Sequence, residues 1–267
     1  MTLINQNITR LNTDELRALI SDKNHHAIGC IEMHQTLPST NLYCLEKGDI
    51  SAGFICFSAA QTQGRGRLNK TWYSPPVGNL YFSFCYAAGT KNYSALSLVV
   101  GLSLQSALQK ICSSHAIKIK WPNDLYAQNK KLAGILIEGR KLPNGQQGLI
   151  IGIGINFITP GEPMLNAIGL RELTEDTLSQ SFIAAAVIDQ MLTNISLFEL
   201  QGLAPFLPAW PGHDYLWQKA ITVLQNDKKY SGIAMGIDQQ GALQLRTQAG
   251  KQSFVCGEVS VKPNDSD

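Results

Sequence analysis

The sequence predicts an α+β protein, with one large domain over residues 1–212 and a small β-barrel over residues 213–267. Three observations carry this. Hairpin-like strand pairs and helices fall in separate runs rather than in a regular βαβ alternation. One long amphipathic segment runs from Leu178 to Gly202. Beyond Pro205, Pro208, Pro211 and Gly212 only short strand-like pieces remain. At 267 residues the chain is long enough for one large domain and a companion.

Asn12 followed by Glu15 has the form of a capping box, opening a short helix through Ile20. Ser39-Thr40-Asn41 precedes a second short helix that Gly48 can end. Ala52 to Gln61 and Asn79 to Tyr86 are rich in aromatic and branched residues and read as strands. Leu96 to Leu108 is the most apolar stretch, but Ser97, Gly101, Ser103, Gln105 and Ser106 interrupt it, so it reads as a core helix. Ile117-Lys118-Ile119-Lys120-Trp121 alternates strictly, with both lysines on the face opposite Ile117, Ile119 and Trp121. Pro122 then forces extended geometry on Trp121. Asn129-Lys130 reads as a two-residue turn joining Leu125–Gln128 to Lys131–Glu138, since Asn tolerates positive φ.

From Leu178 onward, Phe182, Ala185, Ile188, Leu192, Ile195 and Phe198 recur at steps of three or four, the mark of an amphipathic helix. The barrel strands are Ile221–Gln225, Lys229–Ile237, Ala242–Thr247 and Phe254–Val261, with turns at Asn226-Asp227 and Gln239-Gln240-Gly241. A unit of this size has too little core to stand alone and is expected to lean on the larger domain.

The charge balance of 22 basic and 20 acidic residues is too even for a chain devoted to nucleic-acid backbone or an anionic membrane. No span-length apolar run and no secretory leader are read. The N-terminal residues lack a basic segment followed by an apolar one. Cys30, Cys44, Cys56, Cys85, Cys112 and Cys256 form no C-x-x-C pair and read as buried, reduced thiols of a cytoplasmic protein. The five histidines lack metal-ligand spacing.

Four segments can carry chemistry. In Gln61-Thr62-Gln63-Gly64-Arg65-Gly66-Arg67-Leu68-Asn69-Lys70, glycines let the backbone approach a ligand and arginines offer forks suited to carboxylate or phosphate. A solvated basic loop reads equally well from that spacing, and the segment is neither a Walker A loop nor a dinucleotide fingerprint. Lys120-Trp121-Pro122-Asn123-Asp124 puts an amide and a carboxylate at a strand end. Lys131 follows the next turn, and Gly134 bares the opposite face of its strand. Read singly, these are turn and surface residues. In Leu149–Asn156, Ile151, Ile153 and Ile155 form one face, while Gly152, Gly154 and Asn156 form another. That second face is a floor for a ring or for another stretch of backbone. Trp72-Tyr73-Ser74-Pro75-Pro76 reads first as core aromatics, as do Trp210 and Trp217. Asp124 and Glu138 lie near these segments without a defined metal-ligand pattern.

In order, Gly64-Arg65-Gly66-Arg67 through Trp72 and Ser74-Pro75, Gly78-Asn79-Leu80-Tyr81, Lys120-Trp121-Pro122-Asn123-Asp124, Lys131-Leu132-Ala133-Gly134-Ile135-Leu136 and Gly154-Ile155-Asn156 form one series. It resembles the motifs of the biotin protein ligases, in the monofunctional form without an N-terminal DNA-binding domain. Gly236-Ile237-Asp238, Gly241-Ala242-Leu243 and Gly257-Glu258-Val259-Ser260 are similar to that family's C-terminal domain. The resemblance runs from about Thr9 to Val261.

The resemblance implies a catalytic domain like that of class II aminoacyl-tRNA synthetases, carrying an SH3-like barrel. It implies activation of biotin with ATP to biotinyl-5′-AMP, with Mg²⁺, and transfer to a lysine of a biotin carboxyl carrier protein. It further implies a cytoplasmic protein, monomeric or weakly dimeric, that takes no nucleic acid or membrane as partner. By this resemblance Ser39, Thr40, Asn41, Gln61, Gly64, Arg65, Gly66, Arg67, Lys131 and Gly134 meet biotin. Lys70, Trp72, Asn123 and Asn156 meet the nucleotide. Arg65, Arg67 and Lys131 are the catalytic cations, and the glycine–arginine loop is a lid over the adenylate. No metal ligands and no base for the acceptor amine are assigned.

Three departures from the family pattern stand out. Lys70 replaces a frequent arginine, Val77-Gly78-Asn79 lacks one glycine, and Ala167-Ile168-Gly169-Leu170 has no tryptophan to stack on adenine. Two alternatives are a lipoate ligase of the same superfamily and a biotinyl-adenylate-dependent repressor. Only 38 residues precede Ser39, which leaves no expected room for a helix-turn-helix module.

Overall fold

The computed structural model describes residues 8–48, 51–76, 78–88, 92–142, 145–161, 166–226, 228–255 and 259–263. Val77, Asp227, Cys256, Gly257 and Glu258, named above, lie outside them. The chain opens with β1 (Ile8–Thr9), α1 (Thr13–Leu19), α2 (Asp22–His25), β2 (Ile31–His34) and α3 (Thr40–Glu46). Asn12 caps α1 by accepting from the backbone N–H of Asp14 and Glu15, and Ser39 caps α3 by accepting from Leu42. There follow β3 (Ile55–Ser58), β4 (Leu80–Ala87), α4 (Leu96–Ile111), β5 (Ile117–Lys120), β6 (Asp124–Ala127), β7 (Lys130–Lys141) and β8 (Gln147–Ile155). The large domain closes with β9 (Leu178–Ser179), α5 (Gln180–Gln201) and α6 (Trp210–His213).

Seven strands form one mixed sheet in the order β2-β3-β4-β8-β7-β6-β5, with β2–β3 its parallel pair. Strand alternation sends Phe82, Phe84, Ile151, Ile153 and Ile155 to one face, where α4 and α5 cover them. The other face carries Ser83, Gly152 and Gly154, and α3 packs there on Cys56, Cys85 and Ile150. α5 is long and apolar enough to cross a membrane, at a mean hydropathy of 1.4. Here its residues Ile183, Val187, Ile188, Met191 and Ile195 are core, packed with α4.

Several expectations shift. The strand read over Ala52–Gln61 is only Ile55–Ser58. Gly53 takes φ +82° against the carbonyl of Ala27, and the Ser58 hydroxyl donates to Ala60 O where the chain turns away. The β6–β7 turn is Gln128-Asn129, one residue earlier than read. Both take positive φ (48° and 60°), as a type I′ turn requires, and Ala127 pairs with Lys130. Cys44, Cys56, Cys85 and Cys112 are buried free thiols, but Cys30 is exposed on the approach to the edge strand β2.

The C-terminal strands are β10 (Ala220–Gln225), β11 (Lys228–Ile237), β12 (Leu243–Thr247), β13 (Gly250–Phe254) and β14 (Val259–Pro263). They form an antiparallel sheet in the order β13-β12-β11-β10-β14. The single strand read over Phe254–Val261 is thus two pieces at opposite ends of the order. Gly250, at φ +109°, turns the chain tightly enough for Thr247 to face Gly250, so pairing begins before Phe254. Ile221, Val223, Ala234, Leu243, Leu245 and Val261 share one core cluster with Leu98, Leu102, Ile119 and Trp121 of the large domain. The junction is hydrogen-bonded as well: Tyr215 N donates to Ile119 O at 2.8 Å, and Trp121 Nε1 donates to Gly241 O at 3.0 Å. The small unit leans on the large one, as its size requires.

Candidate active site

A cavity of about 390 Å³ opens on the α3 face of the sheet, within the usual range for a small-molecule site. One end is neutral and hydrogen-bonding. There Ser39, Thr40 and Asn41 sit at the start of α3, with Gln61 beside them. Thr40 N donates to Gln61 Oε1 at 2.8 Å, and Gln61 Nε2 donates to Ser74 Oγ at 2.8 Å. Ser83, reaching up from β4, lies 2.8 Å from Thr40 Oγ1 and donates to Asn41 Oδ1 at 2.6 Å. Gly152 is required under this network, since a Cβ there would stand 2.1 Å from Asn41 Oδ1.

The middle is a floor made by two glycines. Gly134 and Gly154 face each other across β7 and β8, and the indole of Trp72 lies over both. A Cβ would come within 2.8 Å of the ring from Gly134 and within 2.6 Å from Gly154. The bare face read in the sequence therefore does hold a ring, one supplied by the chain itself. Lys131 stands above it, its Nζ 4.9 Å from the ring centroid and ion-paired with Asp124 Oδ1 at 2.7 Å. Regular alternation puts Lys131 and Gly134 on opposite faces, and the structure overturns that. Tyr126 pairs with Lys131 and Leu125 with Ala133, so Leu132 is the extra residue of a β-bulge that turns both positions onto the cavity face.

The other end is cationic. Arg67, Lys70, Lys120 and Lys131 line it, with Asp124 the one carboxylate among the described lining residues. Arg67 Nη1 donates to Asn123 Oδ1 at 3.4 Å, while Asn123 Nδ2 is held by Ile135 O at 2.8 Å. Burial holds the Lys120 ammonium below its ordinary pKa, the nearby Asp124 opposing that shift and the neighbouring Lys131, Lys70 and Lys219 adding to it. Burial likewise pushes the Tyr126 phenol up. Val261 of β14 completes the wall.

The glycine–arginine loop folds back on itself. Trp72 N donates to Gly64 O at 2.8 Å and Gly66 N to Lys70 O at 2.7 Å, while Leu68 and Asn69 take positive φ at the tip. Of the residues read from the sequence, Ser39, Thr40, Asn41, Gln61, Arg65, Gly66, Arg67, Lys70, Trp72, Asn123, Lys131 and Gly134 line the cavity. Gly64 and Asn156 do not. Gly64 is a point of close approach, where a Cβ would stand 2.2 Å from Trp72 O. Asn156 lies just past the end of β8. Its N–H donates to Leu132 O and its side chain to Lys131 O, so it braces the Lys131 strand from behind.

Arg65 also differs from expectation. Its Nη2 is 3.0 Å from Glu138 Oε1, and Glu138 Oε2 accepts from Asn41 Nδ2 at 2.9 Å. Its charge is therefore matched at the neutral end rather than offered at the cationic one. Sequence reasoning assigned no role to Lys120, Tyr126, Leu136, Val261 or the hold of Glu138 on Arg65. For Lys120 the signal was there, in the alternation that turns it away from the core. No cluster of three or more His, Cys, Asp or Glu side chains occurs among the described residues.

Comparison with known proteins bears on this geometry. Residues 32–156 match the model of the biotin/lipoate A/B protein ligase family, and residues 219–262 match the biotin protein ligase C-terminal domain. The bifunctional ligase/repressor BirA of Escherichia coli is 34% identical over 88% of this chain and 74% of its own length. The biotin–[acetyl-CoA-carboxylase] ligase of Paracoccus denitrificans is 31% identical over 83% of this chain and 96% of its own. Among solved structures, the Aquifex aeolicus biotin protein ligase in complex with biotin and ATP superposes with a TM-score of 0.78 at 29% identity, covering 88% of this chain and 99% of that one. The chain belongs to the biotin/lipoate A/B protein ligase family and, on both its domains, to the biotin protein ligases.

Proposed function

We propose that this cavity activates biotin with ATP to biotinyl-5′-AMP and pyrophosphate, and then transfers the biotinyl group to a lysine of a biotin carboxyl carrier protein. One observation carries the reading: a single cavity joins a neutral hydrogen-bonding end to a cationic end across a flat aromatic floor. The fused rings of biotin offer two N–H donors and one carbonyl acceptor, suited to Ser39, Thr40, Asn41 and Gln61. The valeryl tail then delivers its carboxylate to the other end.

There the carboxylate oxygen attacks the α-phosphorus, and the bond from that phosphorus to the β-bridging oxygen breaks. Two anions meet in this step, so positive charge aimed at the transition state governs the rate. Arg67 and Lys131 supply it. Asn123 holds Arg67 in place, and Lys131 exchanges Asp124 for phosphate oxygen. Arg65, matched by Glu138, closes the vitamin end and is a positioning residue in this account. Trp72 offers its ring to the adenine, which answers for the missing tryptophan near Ala167. Mg²⁺ enters on the phosphates of ATP as part of the substrate, in keeping with its habit of retaining water and phosphate ligands. The cytoplasm, where the free thiols stay reduced, is the compartment this reading implies.

The test is isotope exchange between pyrophosphate and ATP by purified protein. Exchange that depends on biotin is the expected result. Exchange driven by lipoate and not by biotin would transfer the reading to the lipoate branch of the family.

A further inference from the structure

Arg140 does not line the cavity, yet it is tied to one of the cavity's walls. Along β7 the alternate residues Leu136, Glu138 and Arg140 all meet α3. Leu136 O and Glu138 Oε2 accept from Asn41 Nδ2 at 3.2 and 2.9 Å, which holds the first turn of the helix. Arg140 holds the last turn. Its Nη1 donates to Cys44 O and, at 2.8 Å, to Lys47 O, while its Nε donates to Lys141 O at 3.1 Å. The final carbonyls of a helix lack partners within it, and the fixed fork of a guanidinium can serve two of them at once. α3 has seven residues, too few to keep its shape and place unaided. On its other side, Glu32 of β2 accepts from Tyr43 Oη at 2.7 Å and pairs with Lys47 at 3.4 Å. Those ties reach side chains, which can swing; Arg140 grips the backbone itself.

We infer that Arg140 is a positioning residue for biotin: by gripping the far end of α3 it sets the height and tilt at which Thr40 and Asn41 face the cavity. The inference rests on the ligase reading and adds to it a residue that touches neither substrate. Glu138 and Arg140 stand two positions apart on one strand, so a single element holds both ends of the helix. That element also carries Lys131 and Gly134, and the grip therefore fixes the neutral end of the cavity relative to the cation and the floor. The charges suit the helix as well, with a carboxylate at its first turn and a guanidinium at its last. No bond forms or breaks at Arg140. Its loss should loosen the fit of the vitamin and leave the chemical step as it is.

The test uses the full chain in biotin-dependent exchange between pyrophosphate and ATP. Arg140→Met, which keeps the apolar stem, is expected to raise the KM for biotin roughly tenfold, while the KM for ATP and the maximal rate move less than about twofold. Arg140→Lys can reach one carbonyl at a time and is expected to restore part of the loss, leaving the KM for biotin about threefold above wild type. Amide hydrogen exchange supplies a readout besides activity: in Arg140→Met the amides of Tyr43–Lys47 should exchange about tenfold faster or more, with those of β4 and β8 unchanged. Should the Met variant fail to fold, the Lys variant carries the same comparison of biotin with ATP. An unchanged KM for biotin in the folded variant overturns the inference. So does an equal rise for biotin and ATP, which marks a general disturbance. Failure of the wild-type chain to exchange at all would sink the ligase reading itself, so the two failures are distinct.

Discussion

Lys131 shows how much one side chain carries. It pairs with Asp124, stands over Trp72, and reaches the cavity only because Leu132 bulges out of the strand register. Lys131→Ala is expected to lower the adenylation rate roughly 100-fold or more, the loss typical of one preorganised donor at a site of developing charge. Its side chain is partly exposed, so the melting temperature should move by only a few degrees. Pyrophosphate exchange and a thermal melt check the two halves, and near-normal exchange would remove Lys131 from the mechanism. Individual residues were legible where their chemistry is local and repeated: Arg67, Lys131, Gln61 and the Ser39-Thr40-Asn41 cap all stand where the motifs put them. What pairs across the fold was hidden. Nothing in the neighbourhood of Arg65 announces Glu138, because a strand on another part of the sheet delivers it. Asn156 was read by alternation onto the cavity face, but β8 ends one residue earlier and the amide turns back to the Lys131 strand.

Among the elements, the β7–β8 pair is the one whose sequence is least free. Gly134 and Gly154 are required by the ring above them rather than by their backbone angles, as neither takes a positive φ. Gly154→Ala places a methyl group 2.6 Å from the Trp72 indole and must displace it. The expected result is a rise in the KM for ATP of roughly tenfold, with a stability loss of about 1–3 kcal/mol. Exchange kinetics and urea unfolding measure the pair, and an unaltered KM would separate Trp72 from the nucleotide. The loop from Gly64 to Trp72 is tied at its base and bends through left-handed Leu68 and Asn69 at its tip. Acting as a lid, it is expected to resist proteolysis at Arg65–Lys70 when biotin and ATP are present. Equal cleavage with and without them would count against closure. Periodicity gave the helices well, though Phe182, read into the apolar stripe of α5, is half exposed. It gave turns and bulges poorly. A one-residue shift at Gln128-Asn129 and an extra residue at Leu132 leave hardly a trace in the hydrophobic pattern, yet together they aim Lys131.

Across the whole molecule, the two domains share one core and one cavity. The prolines between Leu203 and Gly212 mark where the sequence suggests their boundary. Their interdependence was legible only from size, since the residues that join them, Leu98, Ile119, Trp121 and Val261, read as ordinary core. At the junction Asp214 is buried and accepts from Leu216 N at 2.8 Å and Trp210 Nε1 at 3.1 Å. Burial pushes its carboxyl up to about 6, against an ordinary value of 3.8. A carboxyl raised in the folded state favours folding while protonated, so its contribution is full below the unfolded pKa and is lost as pH rises through 6. Between pH 4 and 6 stability should therefore decline by up to a few kcal/mol through this group. Asp214→Asn is expected to flatten that slope in urea titrations, and an unchanged slope would clear Asp214 of the effect. The claim on which the account stands is that one cavity brings a carboxylate and an α-phosphate together. A crystal structure with a hydrolysis-resistant biotinyl-adenylate analogue tests it most directly. The account places the fused rings against Thr40, Asn41 and Gln61, the acyl-phosphate linkage between Arg67 and Lys131, and the adenine on Trp72. An analogue bound in reverse, or outside this cavity, would contradict it.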